Sequence, residues 1–430
     1  MPRETISRRD FLKVAGAIGL VAAAGGSLPL AASCSSKKGQ GQKLKVGLMT
    51  PATGPIPEKG QPGRDGLLDC FTYINTERGG VNGYQIEPVY RDSQYSASVV
   101  PGIVNELMDL GCLMFMTHSS TEMNYAKAVA NPAGFPGLAT YTSQSNYHPP
   151  LHIYGQGPDY GDDWIAFAKY YMSNIWKGTG KPKMALHLLN NPTGKGAEYG
   201  ADAMADSLGI EIVAIEEHAA TITSAIESLT RIKAKNPNVM FISSTPQPTS
   251  IILKDARSLE MTPTMTVACA AASFTKALID LAGANVAEGV YGTWPTVAWG
   301  ENVPGMAKII EYAAKYNPKD TGTAEYVATW AAALIIAEIL RLTTSAVDYD
   351  VLSKGDETAW NAVETKGIQK LKNYSVEGLQ GAVSYAGGGD NRLNKLVRIY
   401  KISSGNITLV KDWVEAPYIK YEDFSWFPKS

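Results

Sequence analysis

The sequence predicts an α/β fold made of two successive units, in each of which short apolar strands alternate with amphipathic helices around a parallel sheet. Three observations carry this reading. Four apolar runs between Lys45 and Thr140 are separated by helix-period segments, the alternation restarts at Lys183 for four more, and Gly, Pro and Asn clusters punctuate both series. Such alternation implies right-handed crossovers and aligns the strand carboxyl ends along one edge, where α/β proteins bind ligands.

The first strand, Lys45 to Met49, ends in the turn chemistry of Thr50-Pro51-Ala52-Thr53-Gly54-Pro55. A helix from Gly63 to Glu77 places Leu67, Leu68, Phe71 and Ile74 on one face. Gly79-Gly80-Val81-Asn82-Gly83 stops it and leads into a strand from Gln85 to Tyr90, followed by a helix from Ser98 to Leu110. The stretch from Cys112 to Tyr147 then reads as a strand (Cys112 to Met116), a Ser/Thr-rich turn (Thr117 to Thr121), a helix (Asn124 to Asn131), a strand (Gly137 to Thr140) and a polar loop. Two strand ends thus deliver polar groups to one place, where the backbone N–H groups of the next helix also point.

From Asp162 to Trp176 a helix carries Trp164, Phe167 and Tyr171 at core spacing. The second series comprises strands at Met184 to Leu189, Glu211 to Ile215, Val239 to Ser243 and Thr264 to Val267, with helices at Ala197 to Leu208, Ile222 to Lys235 and Thr249 to Leu259 between them. After Gly289 to Pro295 comes a long helical region that includes Ala324 to Leu342. Strand-like pieces from Ala382 to Val414 follow, turned at Gly387 to Asp390 and at Ser403 to Asn406.

At 430 residues and 45% hydrophobic, the chain is long enough for two or three domains. Lys plus Arg (39) nearly balance Asp plus Glu (41), so no basic face predicts nucleic acid as a partner. Ser7-Arg8-Arg9-Asp10-Phe11-Leu12-Lys13 matches the twin-arginine export motif, and an uncharged apolar run from Val14 to Ala32 follows. The run ends in Leu30-Ala31-Ala32-Ser33-Cys34, which resembles a lipobox, with an Ala where the usual Leu would stand. Residues 1–34 are therefore expected to be a signal, read by the twin-arginine translocon, with Cys34 as the lipidation site. Residues 35–43 form a tether, and the protein lies in the periplasm or on the outer face of the cytoplasmic membrane. Of the remaining cysteines, Cys70 and Cys112 are placed so that a bridge is conceivable; the other reading is three buried thiols with Cys269.

The strings Lys45 to Pro55, Gly79 to Gly83, Arg91-Asp92-Ser93-Gln94 and Gly378-Leu379-Gln380-Gly381-Ala382-Val383-Ser384-Tyr385, in this order and spacing, resemble the type I periplasmic solute-binding proteins. The likeness is to the branched-chain amino acid receptors of ATP-driven (ABC) importers, and it covers nearly everything after residue 43. It implies two Rossmann-like lobes joined by three crossing hinge segments, closing like a clamp on a solute and handing it to a membrane permease. Lobe 1 would be residues 44–157 plus 293–375, lobe 2 residues 158–292 plus 376–414, and 415–430 a C-terminal extension. The crossings would fall near Gly155 to Gly157, near Gly292 to Pro295 and near Tyr374 to Gln380.

The resemblance also implies where the ligand sits. Ser119, Ser120 and Thr121, with Thr142, Ser143 and Gln144, match the lobe 1 groups that hold a ligand carboxylate; helix capping is the competing role for each. Lobe 2 would add Asn190, Thr193, Thr245, Gln247 and Cys269; Tyr141 and Trp294, at loop positions beside the expected cleft, are the candidates to stack on the ligand, with hinge packing as the competing role. Where amino acid receptors of the family carry an acid to pair with the ligand ammonium, this chain has Ala268-Cys269-Ala270-Ala271-Ala272. An ammonium without a counter-charge is costly to bury, so the sequence points to a carboxylate or amide other than an α-amino acid.

Other motifs compete weakly. Gly194-Lys195-Gly196, with Gly200 and Glu216, imitates a dinucleotide fingerprint but has an extra residue in its spacing, so a cofactor-dependent enzyme is the distant alternative and no cofactor is expected. His118 beside Ser119 lacks the nucleophile elbow of a hydrolase, and the five histidines show no metal-ligand spacing. The expected function is non-enzymatic solute binding, with a sensor of the same fold as the nearer alternative.

Overall fold

The structure is a computed structural model that describes Gly39, residues 41–262 and residues 264–428. The twin-arginine motif, Cys34 and most of the tether lie outside the described residues. In chain order the first sheet unit is β1 (Lys43–Thr50), α1 (Pro57–Glu77), β2 (Gln85–Asp92), α2 (Val100–Asp109), β3 (Phe115–Thr117), α3 (Ser120–Ala133), β4 (Gly137–Ala139), α4 (Gln144–Tyr147) and β5 (Ile153–Gly155). Its five strands run parallel in the order β2-β1-β3-β4-β5. Val46 to Thr50 of β1 are all buried, because helices cover both faces of a central parallel strand. That is why this strand reads as an unbroken apolar run.

The second unit opens with α5 (Tyr160–Tyr170), which runs into a π-helical turn at Tyr171–Ile175. It continues with β6 (Lys183–Leu189), α6 (Pro192–Met204), β7 (Glu211–His218), α7 (Ile226–Lys233), β8 (Val239–Ser243), α8 (Pro246–Ser258), β9 (Thr266–Cys269), α9 (Lys276–Ala282), α10 (Ala284–Ala287) and β10 (Tyr291–Trp294). The chain then returns to the first unit with α11 (Met306–Tyr316) and α12 (Ala324–Ala346), whose Trp330, Leu334 and Ile335 join Leu48 and Leu67 in one core. α12 is long and apolar enough to span a membrane, yet most of its apolar stretch is buried inside the protein. It is a core helix.

A hairpin of β11 (Leu396–Ser403) and β12 (Asn406–Glu415) completes the second sheet, order β12-β11-β10-β9-β8-β6-β7. β11 and β12 are antiparallel additions to an otherwise parallel sheet. Both sheets therefore follow the α/β plan read from the sequence.

The lobes are joined where Gly155 pairs with Arg392 and Thr296 with Gln380. Gln156 Nε2 donates to Gln380 Oε1 at 2.8 Å and to Ala328 O at 2.9 Å, which ties two of these segments to α12. Val376, Leu379, Val383 and Leu393 pack in the core of the first sheet. The chain thus passes to the second sheet only at Asn394 to Leu396, later than the Tyr374 to Gln380 expected from the sequence; the apolar residues of that segment suit either lobe. Arg392 is 3% exposed and lies at this junction, forked onto Asp162 at 2.6 Å and Asp390 at 2.9 Å.

Helix packing explains the glycines that imitated a dinucleotide fingerprint. A Cβ on Gly200 would stand 2.6 Å from the Cα of Gly161, so α6 and α5 approach at backbone contact. α6 itself starts at Pro192, capped by the Asn191 side chain on the N–H of Thr193 at 2.9 Å.

Candidate functional site

The carboxyl edges of the two sheets meet. From lobe 1 come the turns after β1, β3 and β4; from lobe 2 come the start of α6 and the turns after β8 and β9. Ser120 Oγ lies 3.4 Å from Thr193 Oγ1, and Asn191 Nδ2 donates to Tyr95 Oη at 3.2 Å, which in turn donates to Thr121 Oγ1 at 2.9 Å.

At the centre of this seam is a cluster of six buried polar side chains: Lys59, His118, Tyr141, Asp163, Trp294 and Glu325, none more than 3% exposed. Lys59 sits in the first turn of α1, a helix that Pro57 starts with a preset φ. Its Nζ crosses the seam to donate to Ala272 O at 2.7 Å, stands 3.6 Å from Glu325 Oε1 and lies 4.5 Å from the Tyr141 ring centroid. Tyr141, just beyond β4, packs edge to face on His118 at 5.3 Å and on Trp294 at 6.1 Å. Asp163 of α5 accepts from the Ala271 N–H at 3.1 Å.

Several of these groups lack partners. Both ring nitrogens of His118, Tyr141 Oη, Trp294 Nε1 and Glu325 Oε1 make no hydrogen bond, although each is buried. Buried polar atoms are almost always paired, so this concentration of orphans makes the cluster the candidate site.

Burial sets the charges. It lowers the Lys59 ammonium below its ordinary value against the opposing pull of Glu325, and it raises Glu325 against the pull of Lys59. It pushes Asp163 well above the usual carboxylate range. Burial, helped by the Lys59 charge, takes His118 down to about 3, so the imidazole is neutral at physiological pH with one donor and one acceptor. Glu122, whose carboxylate accepts from Ser93 Oγ and the Ser119 N–H, is raised to about 7 by burial.

The residues singled out from the sequence divide into three groups. Tyr141 and Trp294 stand in the central cluster. Ser120 and Thr193 lie at its edge and face each other across the seam, Thr121 accepts from Tyr95 of its own lobe, and Cys269 is fully buried at the end of β9 with its carbonyl accepting from Thr293 Oγ1 at 3.4 Å. Ser119 is the N-cap of α3 in a capping box with Glu122, and Ser143 forms the corresponding box with Asn146 for α4. Thr142 Oγ1 donates to Asn146 Oδ1 at 3.1 Å.

Gln144 Nε2 is committed to Gly196 O at 3.0 Å and Tyr421 Oη at 3.1 Å. Thr245 is the buried N-cap of α8, whereas Asn190 and Gln247 are exposed to solvent.

Lys59, Asp163 and Glu325 were missed, because each sits inside a helix remote in sequence from the two loops. Their one sequence signal is a charged residue on an otherwise core-facing helix turn. The histidines hold a second surprise: His187 Nδ1 lies 3.0 Å from His218 Nδ1, and His218 Nε2 reaches Ser244 Oγ at 2.7 Å. Among the described residues no group of three metal-ligating side chains forms, and Cys70, Cys112 and Cys269 are buried free thiols.

A sequence profile described as periplasmic binding protein matches residues 43–406, most of the chain. The chain belongs to the periplasmic binding protein family. A search of curated protein sequences found no significant match. This periplasmic binding protein shares its fold with a branched-chain amino acid ABC transporter protein from Thermus thermophilus with bound valine, at TM-score 0.75 and 21% identity over 88% of this chain and 97% of that one.

It is similar also to the substrate-binding protein LivJ of Streptococcus pneumoniae in complex with isoleucine, at TM-score 0.70 and 19% identity over 86% of this chain and all of the other. A third likeness is to a fatty acid ABC transporter substrate-binding protein from Thermomonospora curvata, at TM-score 0.75 and 19% identity over 91% and 97% of the two chains.

These findings correct the expectation that an α-amino acid is a doubtful ligand. Two proteins of this fold are described with valine and isoleucine bound. After β9, where the family's acid would stand, the chain has Ala270 to Ala272. The folded chain brings Glu325 from α12 and Asp163 from α5 to the same place.

Proposed function

We propose that this periplasmic binding protein is the solute-binding component of an ATP-driven importer and that its lobes close on an amino acid with an apolar side chain. The observation that carries the reading is the set of unpaired polar atoms of His118, Tyr141, Trp294 and Glu325 buried around Lys59 at the seam between the lobes. The cluster holds unpaired donors and the unpaired acceptor Glu325 Oε1 for the polar ends of such a solute, and Tyr141, Trp294 and Ala270 to Ala272 offer apolar walls. The solute is bound and released unchanged. Closure is a population shift toward the form that a membrane permease recognises.

The same reading takes 44–157 plus 293–393 and 158–292 plus 394–414 as the two moving bodies, the third crossing lying near Asn394 in place of Tyr374 to Gln380. Residues 1–34 would direct export through the twin-arginine translocon, and Cys34 would anchor the protein by lipid at the outer face of the membrane. Calorimetric titration of ligand-stripped protein with L-valine, L-isoleucine and L-leucine tests the solute class; micromolar or tighter binding is expected. Absence of binding to all three, with stabilisation by a fatty acid in its place, would overturn it.

A further inference from the structure

The seam cluster has more donors than acceptors. Lys59 carries three N–H groups, of which Ala272 O takes one at 2.7 Å; Glu325 Oε1 stands too far away, at 3.6 Å, for a hydrogen bond. Tyr141 Oη, Trp294 Nε1 and one nitrogen of the neutral His118 add three further hydrogens without acceptors, all from side chains at least 97% buried. The rings that carry them are neighbours: Lys59 Nζ lies 4.5 Å from the Tyr141 centroid, with His118 and Trp294 against the same ring at 5.3 and 6.1 Å.

Four of the six polar side chains of the two lobe 1 loops are spent elsewhere. Ser119 and Ser143 cap α3 and α4, Thr142 bonds Asn146, and Gln144 bonds Gly196 and Tyr421.

We propose that Lys59, with Tyr141 and Trp294 beside it, is the specificity-determining anchor for the carboxylate of the solute, so that the anionic end is held by a charged donor cluster at the root of α1. The inference rests on the solute-binding reading above and goes beyond it by naming which groups select which end of the solute. A carboxylate presents about four acceptor sites and takes up the unpaired hydrogens together. Glu325, whose Oε1 is unpaired, is then left for the cationic end. A solute with its carboxylate amidated keeps the apolar contacts but places an N–H against Lys59.

The test is calorimetric titration of ligand-stripped full-length protein with L-isoleucine, L-valine and the carboxyl amide of each. Wild type is expected to bind the free acids at least about 100-fold more tightly than the amides, the range of a charge-assisted contact. Lys59→Met is expected to lose about 100-fold toward the acids and little toward the amides, and Tyr141→Phe about 10-fold.

Lys59→Met leaves Glu325 buried without its cation, so the double variant Lys59→Met/Glu325→Gln serves where the single one folds poorly, with folding checked by far-UV circular dichroism. Isoleucine binding that survives in the double variant, or equal affinity for acid and amide, would overturn the anchor and leave the amino acid reading standing. Tighter isoleucine binding in Lys59→Met would show Lys59 to be a rival of the ligand ammonium and would equally overturn it. If no amino acid binds wild type at millimolar concentration, the reading and the anchor fail together.

Discussion

Replacing Arg392 by Leu removes the one cation from the ionic knot beside the lobe junction. The guanidinium donates twice to Asp162 at 2.6 Å, to Asp390 at 2.9 and 3.1 Å, and to Pro417 O at 3.4 Å, with the side chains of Arg392, Asp162 and Asp390 at 2%, 1% and 4% exposure. Leucine fills much of the volume but strands two buried carboxylates. Breaking a buried pair on one side costs about 3–5 kcal/mol.

For a chain of this size the entropy of unfolding converts about 4 kcal/mol into a fall in Tm on the order of 5 °C. Differential scanning calorimetry and urea unfolding at neutral pH would measure it. A double-mutant cycle with Asp162→Asn should give a coupling of about 2 kcal/mol or more, since the two side chains are in direct contact. A loss under about 1 kcal/mol, or additive single effects, would refute the argument that this pair is desolvated and interdependent.

Three further outcomes are expected. Burial raises Glu122 from 4.5 to about 7, so its contribution to stability is full below about pH 4.5 and is lost as pH rises through about 7. Glu122→Gln should remove up to about 3 kcal/mol of that slope, read from urea midpoints between pH 5 and 8, and an unchanged slope would contradict the assignment. Gly200→Ala should destabilise by about 1–3 kcal/mol despite its better helix propensity, because the added methyl meets backbone at 2.6 Å; a more stable variant in thermal melts would refute the close approach of α6 to α5. Truncation after Glu415 removes the buried Tyr421 and Phe427, which pack on His148 and Tyr199, and should cost about 4 kcal/mol by thermal unfolding from their burial alone.

What could be read from the chain depends on how far each signal travels. Strand and helix alternation is local, so β8 was located to the residue and most elements to within a few. The start of α3 was placed late, at Asn124, although Ser119 and Glu122 already spell a capping box.

Tyr141 and Trp294 were legible as members of the buried cluster because one lies just past β4 and the other ends β10. Lys59, Asp163 and Glu325 were not, because nothing local says that a helix N-terminus from one lobe ends beside a turn of the other. The doubt about amino acids came from one loop alone: it carries no acid, yet two helices more than 50 residues away from it in either direction bring Glu325 and Asp163 beside it.

The central claim is that the two lobes form a clamp that closes on an amino acid through the buried cluster. Small-angle X-ray scattering on ligand-stripped protein, titrated with L-isoleucine, tests it most directly. A smaller radius of gyration that saturates with the calorimetric binding curve is expected, and no change in a variant carrying Lys59→Met and Glu325→Gln. A scattering profile that stays constant while isoleucine binds would contradict the clamp.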